Sequence, residues 1–482
     1  MLSWADTDTT PLMLPVPGGG LDLHVPVIVA GAGAAGLTAA LAARDAGAET
    51  WLLERDATPA GSTAMSQGAI AAAGTHAQAA AGIDDGADRF FDDIIAKTDG
   101  RTDPELARVV AREAGPTVDW LADRHGVPLG FDAKWQARYG HSVQRLHGPP
   151  GGSGEELIGA LAAAAERAEV TLITEARLVA AFAGPDGRVA GVRVARPDGA
   201  VEDIGCDTLV LATCGFGANR AMIAEHIPSM AQARYHGHEG NDGLGIRLGQ
   251  ALGGGVADMG AYQGLGLLAE PHAVVIHPLV MIAGGALVNA RGERFEDELV
   301  DVSGQGARVL AQPGGIAWVI GGAAALEAGL AVHENRVADE LGAIRRADTV
   351  AGLAGATGCD PATLAATVQA TNAAIDGAAP DAFGRDFGDV APWAPPYFAV
   401  KVTGALFHTQ GGLMVDGDAR VLRADGTALP NLYAAGGTAR SISGPGGTGY
   451  LPAAGLCMAV TLGRLAGAAA ARQASAAART GR

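Results

Sequence analysis

The chain has 482 residues, of which 48% are hydrophobic and 18% are charged, so it is too apolar to be intrinsically disordered. With 34 Lys and Arg against 52 Asp and Glu, its net charge of −18 makes nucleic acid and anionic membranes poor partners. At roughly 150 residues per domain, this length favours two or three domains. The 72 glycines follow no G-X-Y period, which excludes collagen and indicates many tight turns.

The cysteines and the N-terminus indicate the compartment. Cys206, Cys214, Cys359 and Cys457 form no CxxC pair, so we expect neither a disulfide framework nor a metal site. The first twenty residues lack the basic segment and the apolar segment of a signal peptide. No uninterrupted apolar run of the length of a membrane span stands out. We therefore expect a cytoplasmic protein without a membrane span.

The first elements form a βαβ unit. Residues 25–30 are a short apolar run typical of a buried parallel strand. Residues 34–46 predict a helix that Gly47 closes, and residues 49–54 predict the next strand. Strand, helix and strand in about 30 residues are the usual dimensions of this motif.

The rest of the chain alternates helices and strands. Residues 170–203 predict antiparallel hairpins, because Pro-Asp-Gly turns stand at 185–187 and 197–199. Residues 207–212 predict a buried strand, and residues 406–435 have strand character. Helices are predicted at 104–125, 155–169, 242–253, 321–329, 361–376 and, rich in alanine, 453–479.

A change of pattern near residue 256 predicts an inserted domain. We expect an α/β protein with a split Rossmann-like domain, an inserted α+β domain and a short N-terminal extension. The boundaries are 1–22 for the extension, 23–255 and 395–482 for the split domain, and 256–394 for the inserted domain.

A dinucleotide fingerprint opens the first helix. Gly31-Ala-Gly33-Ala-Ala-Gly36 is G-x-G-x-x-G between a strand and a helix, and Glu54 ends the second strand near the acidic position expected about 20 residues on. Gly31 permits the tight turn, Gly33 lets the backbone approach a pyrophosphate, and Gly36 lets the helix pack closely. The helix N-terminus supplies N–H groups to phosphates, and Glu54 can accept from ribose hydroxyls.

Motifs along nearly the whole chain resemble one flavoprotein family. They are Gly61-Ser-Thr-Ala-Met-Ser-Gln-Gly-Ala-Ile, Leu211-Ala-Thr-Cys-Gly-Phe-Gly, Gly240-Asn-Asp-Gly, Arg291-Gly-Glu-Arg-Phe-Glu-Asp-Glu, Phe407-His-Thr-Gln-Gly-Gly and Leu432-Tyr-Ala-Ala-Gly-Gly. The family holds soluble fumarate reductases, succinate dehydrogenase flavoproteins and 3-ketosteroid Δ1-dehydrogenases. The resemblance implies FAD as the cofactor, with the split Rossmann-like domain as the FAD-binding domain and the inserted α+β domain as a capping domain that binds substrate.

The resemblance also implies the residues that contact FAD. They are Gly31, Gly33, Ala35, Gly36, Glu54, Arg55, Ser62, Thr63, Gln67, Gly68, Leu178, Ala212, Thr213, Asp242, Gly436, Gly437, Gly455 and Leu456. Membrane-bound relatives attach FAD covalently through a histidine at a position that Ser62 occupies here. We therefore expect non-covalent FAD.

The chain departs from the family where fumarate reductases hold a dicarboxylate. Val302 stands in place of the arginine that donates a proton, and Phe407 replaces a histidine. A dicarboxylate buried without those cations would carry an uncompensated charge. Ser443-Gly-Pro-Gly-Gly-Thr-Gly instead resembles the ketosteroid dehydrogenases, although Ile442 occupies the position of their tyrosine.

These departures give five candidates for catalysis or substrate contact. They are Tyr450, His408, Tyr262, Gln263 and Arg440, the last as a clamp for a carboxylate. A tyrosine serves both as donor and as base only if its pKa is lowered. His141, Arg145 and His147 lie in a stretch similar to the family's R-x-H segment, and we interpret them as structural.

The predicted function is FAD-dependent dehydrogenation of a carbon–carbon bond α,β to a ketone or carboxyl group of a small cyclic or steroid-like substrate. Reduction of an activated C=C bond is the same chemistry reversed and stays an alternative. A flavin-binding protein that has lost its catalytic groups is a third possibility. Oxygen, a quinone or an electron-transfer protein would reoxidise the flavin.

Overall fold

The structure, a computed structural model, describes residues 11–131 and 139–480 and has a mixed α/β fold. Its strands are β1 Met13–Leu14, β2 Leu23–Ala30, β3 Thr50–Leu53, β4 Ile70–Ala71, β5 Gly130–Phe131, β6 Leu146–Gly148, β7 Thr171–Ile173, β8 Arg177–Ala183, β9 Val189–Ala195, β10 Val201–Leu211, β11 Arg234–Tyr235, β12 Val256–Ala257, β13 Tyr262–Ala269, β14 Ala286–Val288, β15 Ile316–Gly321, β16 Ile344–Ala347, β17 Tyr397–Thr409, β18 Gly412–Leu413, β19 Arg420–Leu422 and β20 Ala428–Ala434.

The helices include each of those expected from the sequence, with shifts of one to three residues at most ends. They are α1 Ala34–Asp45, α2 Gly61–Ala64, α3 His76–Ala80, α4 Ala87–Lys97, α5 Pro104–Asp123, α6 Gly154–Arg167, α7 Arg220–His226, α8 Leu244–Ala251, α9 Leu279–Ile282, α10 Gln305–Leu310, α11 Ala323–Gly329, α12 His333–Glu340, α13 Val350–Thr357, α14 Pro361–Ile375 and α15 Ala454–Thr480.

The expected βαβ unit is confirmed. β2 and β3 are parallel neighbours, with Val27 opposite Thr50 and Ala30 opposite Leu53. The helix between them, α1, ends where Gly47 adopts a left-handed φ of 83°, and the N–H groups of Gly47 and Ala48 bond back to the last turn. The unit brings the start of α1 to the carboxyl end of β2.

The first of two compact units is built on a nine-stranded sheet. Its main order is β1-β8-β9-β10-β2-β3-β7, and β20 pairs with both β10 and β19. The hairpins β8–β9 and β9–β10 are antiparallel, as the two Pro-Asp-Gly turns predicted. Gly187 and Gly199 take the positive φ that these turns need. The apolar core of this unit lies between the sheet and helices such as α1, α5, α6 and α15.

The second unit is built on a six-stranded sheet. Its order is β11-β17-β15-β14, with β13 and β16 also paired to β17. Two apolar clusters lie in this unit, one containing Leu287 and Val402 and the other Trp318 and Leu364. It is thus an α+β unit with a core of its own.

The limits of the two units differ from those read in the sequence. The first contains the described residues of Met1–Met222, Gly237–Tyr262 and His408–Arg482, and the second contains Ile223–His236 and Gln263–Phe407. Residues 395–407 belong to the second unit because they form most of its central strand, β17. Residues 223–236 join it because β11 pairs with β17.

The expected N-terminal extension also differs. Residues 1–10 lie outside the described part of the chain. β1, however, adds a strand to the large sheet by pairing in parallel with β8, Met13 opposite Ala181. A two-residue strand whose partner lies far along the chain leaves no local pattern in the sequence.

Helix α15 confirms the alanine-rich helix that the sequence predicts at 453–479. It runs unbroken for 27 residues through Gly463 and Gly467, and α1 packs against it. A methyl group at Gly467 would stand 2.7 Å from the carbonyl carbon of Ala39, and one at Gly463 would stand 3.2 Å from that of Ala35. Within residues 11–131 and 139–480, Ala454–Arg479 alone is long and apolar enough to cross a membrane, and 72% of its most apolar window is buried, as in a core helix.

Candidate functional site

The glycine loop between β2 and α1 has no room for side chains. A Cβ at Gly31 would lie 2.9 Å from the carbonyl carbon of Ala212, and φ is +101° there. A Cβ at Gly36 would lie 2.9 Å from the carbonyl carbon of Gly31 and closer still to its oxygen. Gly33, by contrast, is the N-cap of α1 and a Cβ there would make only an ordinary contact with Thr63. Two of the three glycines are therefore required by the turn itself, and the third leaves the helix start open.

Two side chains hold this loop in place. Glu54 accepts the N–H of Ala32 at 2.7 Å on one carboxylate oxygen and the N–H of Asp56 at 2.9 Å on the other. Thr63 Oγ1 accepts the N–H of Ala34 at 3.0 Å. Burial raises the pKa of Glu54, and these backbone hydrogen bonds act in the opposite direction. Each carboxylate oxygen has further acceptor capacity, so the contacts leave room for ribose hydroxyls.

The N-terminus of α1 fits a pyrophosphate. First-turn N–H groups have no intrahelical acceptor, and within the described residues those of Ala35 and Gly36 make no hydrogen bond. Together with the helix dipole, they form a site for anionic oxygens. This open helix start, next to a loop that excludes side chains, is what a dinucleotide requires.

Three more of the residues expected to contact FAD, namely Leu178, Asp242 and Arg55, lie on or next to elements that contact one another. Ala176, just before β8, donates its N–H to the carbonyl of Glu54 at 2.8 Å, and Leu178 is buried two residues on. Asp242 pairs with Arg177 at 3.1 Å and also accepts the N–H of Leu244. The remaining expected residue here, Arg55, forms an ion pair with Asp56 at 3.2 Å.

A second group of expected FAD residues surrounds Cys214. Asn241 Nδ2 donates to Ser62 Oγ at 2.8 Å, and Ser62 Oγ lies 3.8 Å from Cys214 Sγ. Cys214 has φ of +64°, in the left-handed region that favours glycine. Burial raises the pKa of the Cys214 thiol, so it is neutral at physiological pH.

The turn after β20 closes the same area. Thr438 Oγ1 donates to the carbonyl of Cys214 at 2.9 Å and lies 3.4 Å from Thr213 Oγ1. Gly436 has φ of +61°, and a Cβ at Gly437 would stand 2.8 Å from the nitrogen of Gly215. Gln67 is exposed and precedes Gly68, which is buried against the carbonyl of Ser153. The turn at Gly436 and Gly437 therefore packs its backbone against that of Cys214 and Gly215.

Tyr450 and His408 meet at the start of α15. Their ring centroids are 5.7 Å apart at a steep angle. A Cβ at Gly455 would lie 3.2 Å from His408 Nε2 and 3.7 Å from the Tyr450 hydroxyl. Gly455 and the half-buried Leu456 are among the residues expected to contact FAD. The two candidates therefore lie next to two of the expected FAD contacts.

The protonation states of this pair are set by burial. Burial lowers the pKa of His408 to about 4. Gln410 Nε2 lies 2.8 Å from His408 Nδ1 and donates to it, so the proton of the neutral ring is on Nε2. Burial raises the pKa of Tyr450 far above its usual range. Tyr450 therefore lacks the lowered pKa that a tyrosine needs to act as a base, and it is a neutral hydrogen-bond donor.

The ring of Tyr262 packs against Gly447, which belongs to the loop that carries Tyr450. A Cβ at Gly447 would stand 2.6 Å from the ring carbon that bears the Tyr262 hydroxyl, so only glycine fits there. Gln263, the next residue of β13, is half-buried and belongs to the second unit. The structure thus brings Tyr262 to the Tyr450 loop but does not include Gln263 in this group.

The surroundings of Arg440 do not match those of a clamp for a substrate carboxylate, because its guanidinium is already paired. Its guanidinium pairs with Asp258 at 2.6 Å and with Asp103 at 2.8 Å, and only 12% of its side chain is exposed. The other oxygen of Asp103 caps helix α5. Two carboxylates already outweigh this single positive charge, so Arg440 ties α5 to the turn after β20 instead of attracting an anion.

The sequence did not single out Gln410 or Asp258. Gln410 orients His408 and accepts from the Ser443 hydroxyl at 3.0 Å, and it lies inside the Phe-His-Thr-Gln-Gly-Gly motif. That motif was the available signal for Gln410. Asp258 precedes no recognisable motif, and only the fold brings it to Arg440.

In the second unit, the arginines around the Arg-Phe-Glu-Asp-Glu segment are all paired. Arg294 pairs with Glu298 and Asp381, Arg385 with Glu298 at 2.7 Å, and Arg308 with Glu296 and Asp301. Val302 is half-buried and packs against the apolar cluster of that unit. No free cation replaces the missing arginine among these residues.

Comparisons with known proteins assign the family. Residues 26–456 match the FAD binding domain family. The chain belongs to this family. It is 32% identical over 453 residues to a probable fumarate reductase of Shewanella frigidimarina, covering 93% of this chain and 75% of that protein. FAD is the cofactor of the present chain, which is an FAD-dependent oxidoreductase of the fumarate reductase family.

Two solved structures support the same assignment for this FAD-dependent oxidoreductase. The open conformation of a flavocytochrome c3 fumarate reductase has a TM-score of 0.80 at 30% identity, over 95% of this chain and 79% of that one. A 3-ketosteroid Δ4-(5α)-dehydrogenase of Rhodococcus jostii RHA1 has a TM-score of 0.78 at 26% identity, over 95% and 99% of the two chains. A fumarate reductase and a ketosteroid dehydrogenase are therefore both among the proteins to which this chain is similar.

Proposed function

We propose that this protein dehydrogenates a carbon–carbon bond next to the ketone of a neutral or singly charged cyclic or steroid-like substrate. The observation that carries the proposal is the neutral pair formed by Tyr450 and His408 at Gly455. A neutral site receives an apolar ketone at little cost, whereas a dicarboxylate needs cations that these side chains do not supply.

The roles of the residues follow from their protonation. Bound FAD supplies the acceptor for the hydride that leaves the β-carbon. The Tyr450 hydroxyl donates a hydrogen bond to the carbonyl oxygen of the substrate and so stabilises the negative charge that develops there. His408 supplies a second N–H at Nε2, held by Gln410. Tyr262, in its phenolate form, is the proposed acceptor of the α-proton and becomes a neutral phenol, and Gln263 is a proposed substrate contact.

The FAD contacts named from the sequence are part of the proposal. The glycine loop and the start of α1 hold the pyrophosphate, Glu54 the ribose, and Gly455 with Leu456 the flavin ring. Ser62 has no nucleophilic nitrogen, and this supports non-covalent binding. Four free thiols support a cytoplasmic location, and oxygen, a quinone or an electron-transfer protein would reoxidise the flavin.

The first experiment is an anaerobic absorbance titration of the purified yellow protein. Cyclohexanone, 4-oxocyclohexanecarboxylate, a 3-ketosteroid and succinate are added separately, and fumarate is added after reduction with dithionite. Bleaching by a ketone supports the proposal and identifies the substrate class. If fumarate reoxidises the flavin and no ketone bleaches it, the alternative of C=C reduction replaces the proposal; the 32% identity to a probable fumarate reductase favours that alternative.

A variant tests the role of Tyr450. Tyr450→Phe removes one donor to the developing oxyanion and is expected to slow flavin reduction about 100-fold with little change in substrate affinity. Tyr433→Phe is the matched control, because Tyr433 is also buried in the first unit and its hydroxyl donates to Gln473. Equal rates for the two variants would exclude Tyr450 from the reaction.

A further inference from the structure

A buried polar network reaches the loop that carries Tyr450. We define the Tyr450 loop as residues 446–453, which lead into α15. His141 Nε2 lies 2.9 Å from the carbonyl oxygen of Pro452 in this loop. A Cβ at the neighbouring Gly140 would stand 2.9 Å from Leu451 Cδ2. The segment at 140–141 therefore contacts two consecutive residues of the Tyr450 loop.

The tautomer of His141 is determined by Arg145. Arg145 Nη1 lies 3.2 Å from His141 Nδ1, and a guanidinium has no acceptor, so Nδ1 must accept and the proton must sit on Nε2. Nε2 therefore donates to Pro452. Burial lowers the pKa of His141 to about 4, so the ring stays in this neutral form at physiological pH.

Arg145 itself is held on every side. Its side chain is 0% exposed and pairs with Asp85 at 2.9 Å and with Asp93. Its guanidinium also lies 4.7 Å from the centroid of the Phe90 ring. Ser142 fixes Asp93 by donating both its N–H and its hydroxyl. The donor that sets the tautomer of His141 is thus immobilised by two carboxylates and a ring.

The far end of the Tyr450 loop needs such support. Ala453, between Pro452 and α15, has φ of +63°, a left-handed conformation that is strained for a non-glycine residue. Two residues later, Gly455 lies next to the Tyr450 hydroxyl, since a Cβ there would stand 3.7 Å from it. Proline has no N–H, so the carbonyl of Pro452 is the one backbone group through which that residue can be tied by a hydrogen bond.

We propose that His141 is a positioning residue: by donating Nε2–H to Pro452 it fixes the Tyr450 loop and the start of α15 in the conformation that aims the Tyr450 hydroxyl and presents Gly455 to the flavin. The proposal rests on the proposed function for Tyr450. Its effect on the flavin, however, is independent of the substrate. A misplacement of about 1 Å in such a group costs up to about 100-fold in rate.

The test compares His141→Leu, which removes the donor, with His141→Gln, which keeps an amide N–H near the position of Nε2. His147→Leu is the matched control, because His147 is equally buried in the same network and its ring bonds to Thr75 and to the carbonyl of Arg145. Each holoenzyme is assayed for the shape of the flavin absorbance band, the release of FAD on dilution and, with a reducing substrate, kcat and KM.

His141→Leu is expected to shift the flavin band, speed FAD release at least 10-fold and lower kcat by 10- to 100-fold with KM within about 3-fold. His141→Gln is expected to restore most of each loss, and His147→Leu to change none of the three. In a Tyr450→Phe background, His141→Leu is expected to lower kcat by less than about 3-fold further, since both act through the same hydroxyl.

Two results would overturn the proposal. One is equal behaviour of His141→Leu and His147→Leu, which would make the network merely structural. The other is a His141→Gln variant as impaired as His141→Leu. Failure of the proposed function is distinct from both: no ketone would then bleach the flavin of the unaltered protein, while the band shape and FAD release would still report on His141.

Discussion

Because α1 packs closely against α15, a larger residue at Gly467 is expected to destabilise the protein. A methyl group at Gly467 would stand 2.7 Å from the Ala39 carbonyl carbon and nearer to its oxygen, whereas Cβ contacts under 3.0 Å essentially never occur. Backbone cannot swing aside, so we place the overpacking cost of Gly467→Ala at about 3 kcal/mol, the upper part of the usual range. Higher helix propensity returns about 1 kcal/mol, which leaves a net loss of about 2 kcal/mol.

Gly159→Ala is the matched control for this change. Gly159 lies inside α6, is exposed, and a Cβ there would meet no atom within 4 Å. The same substitution is therefore expected to stabilise by about 1 kcal/mol through helix propensity alone. Urea unfolding followed by far-UV circular dichroism and by flavin release gives both values. If Gly467→Ala proves as stable as Gly159→Ala, the close approach of the two helices is refuted.

Three further predictions follow from the site. Arg440→Met is expected to destabilise by about 2–3 kcal/mol, because two aspartates lose their cation, and to leave KM for a carboxylate-bearing substrate within about 2-fold, as measured by urea unfolding and steady-state kinetics. Glu54→Gln offers one acceptor oxygen fewer to two N–H groups and is expected to weaken FAD binding about 10-fold by fluorescence titration, whereas the exposed Glu49→Gln is not. Burial lowers the pKa of three histidines to about 4, namely His141, His147 and His408. Between about pH 6.5 and 4 the unfolded chain therefore binds more protons than the folded one, so the free energy of unfolding is expected to fall as the pH falls. The slope is up to about 1.4 kcal/mol per pH unit for each histidine, measured by urea unfolding. Glu296, whose pKa burial raises to about 7, acts in the opposite direction between about pH 4.5 and 7 and reduces that slope in its upper part.

The local parts of the fold could be predicted because their signals are local. The turn chemistry of Pro-Asp-Gly, the glycines of the first loop and the period of the apolar residues each lie within a few residues of the element they determine. The limits of the units could not be predicted in this way. β17 runs from Tyr397 to Thr409 without a break in composition, yet the boundary between the units falls inside it, after Phe407.

The sequence shows which cationic side chains the site has, but it does not show whether they are already paired with carboxylates. The absence of the family's arginine at Val302 is visible in the sequence, but the state of the remaining arginines is not. Arg440 looked available for a carboxylate because Asp103 and Asp258 lie far from it along the chain, and only the fold brings them within 3 Å. An arginine that is paired twice cannot also attract a dianion without leaving a buried carboxylate unpaired, which costs several kcal/mol.

The same reasoning gives burial two opposite effects on catalysis. Burial keeps His408 uncharged and keeps Tyr450 protonated, so the pair offers hydrogen-bond donors without any net charge. Such donors are worth more in a water-poor site than in solution, because they need not reorient as charge develops on a carbonyl oxygen. They are of little use for holding two carboxylates before the reaction begins. A site that stabilises charge only as it appears is therefore suited to a neutral ketone, and the substrate panel separates it directly from one built to bind succinate or fumarate.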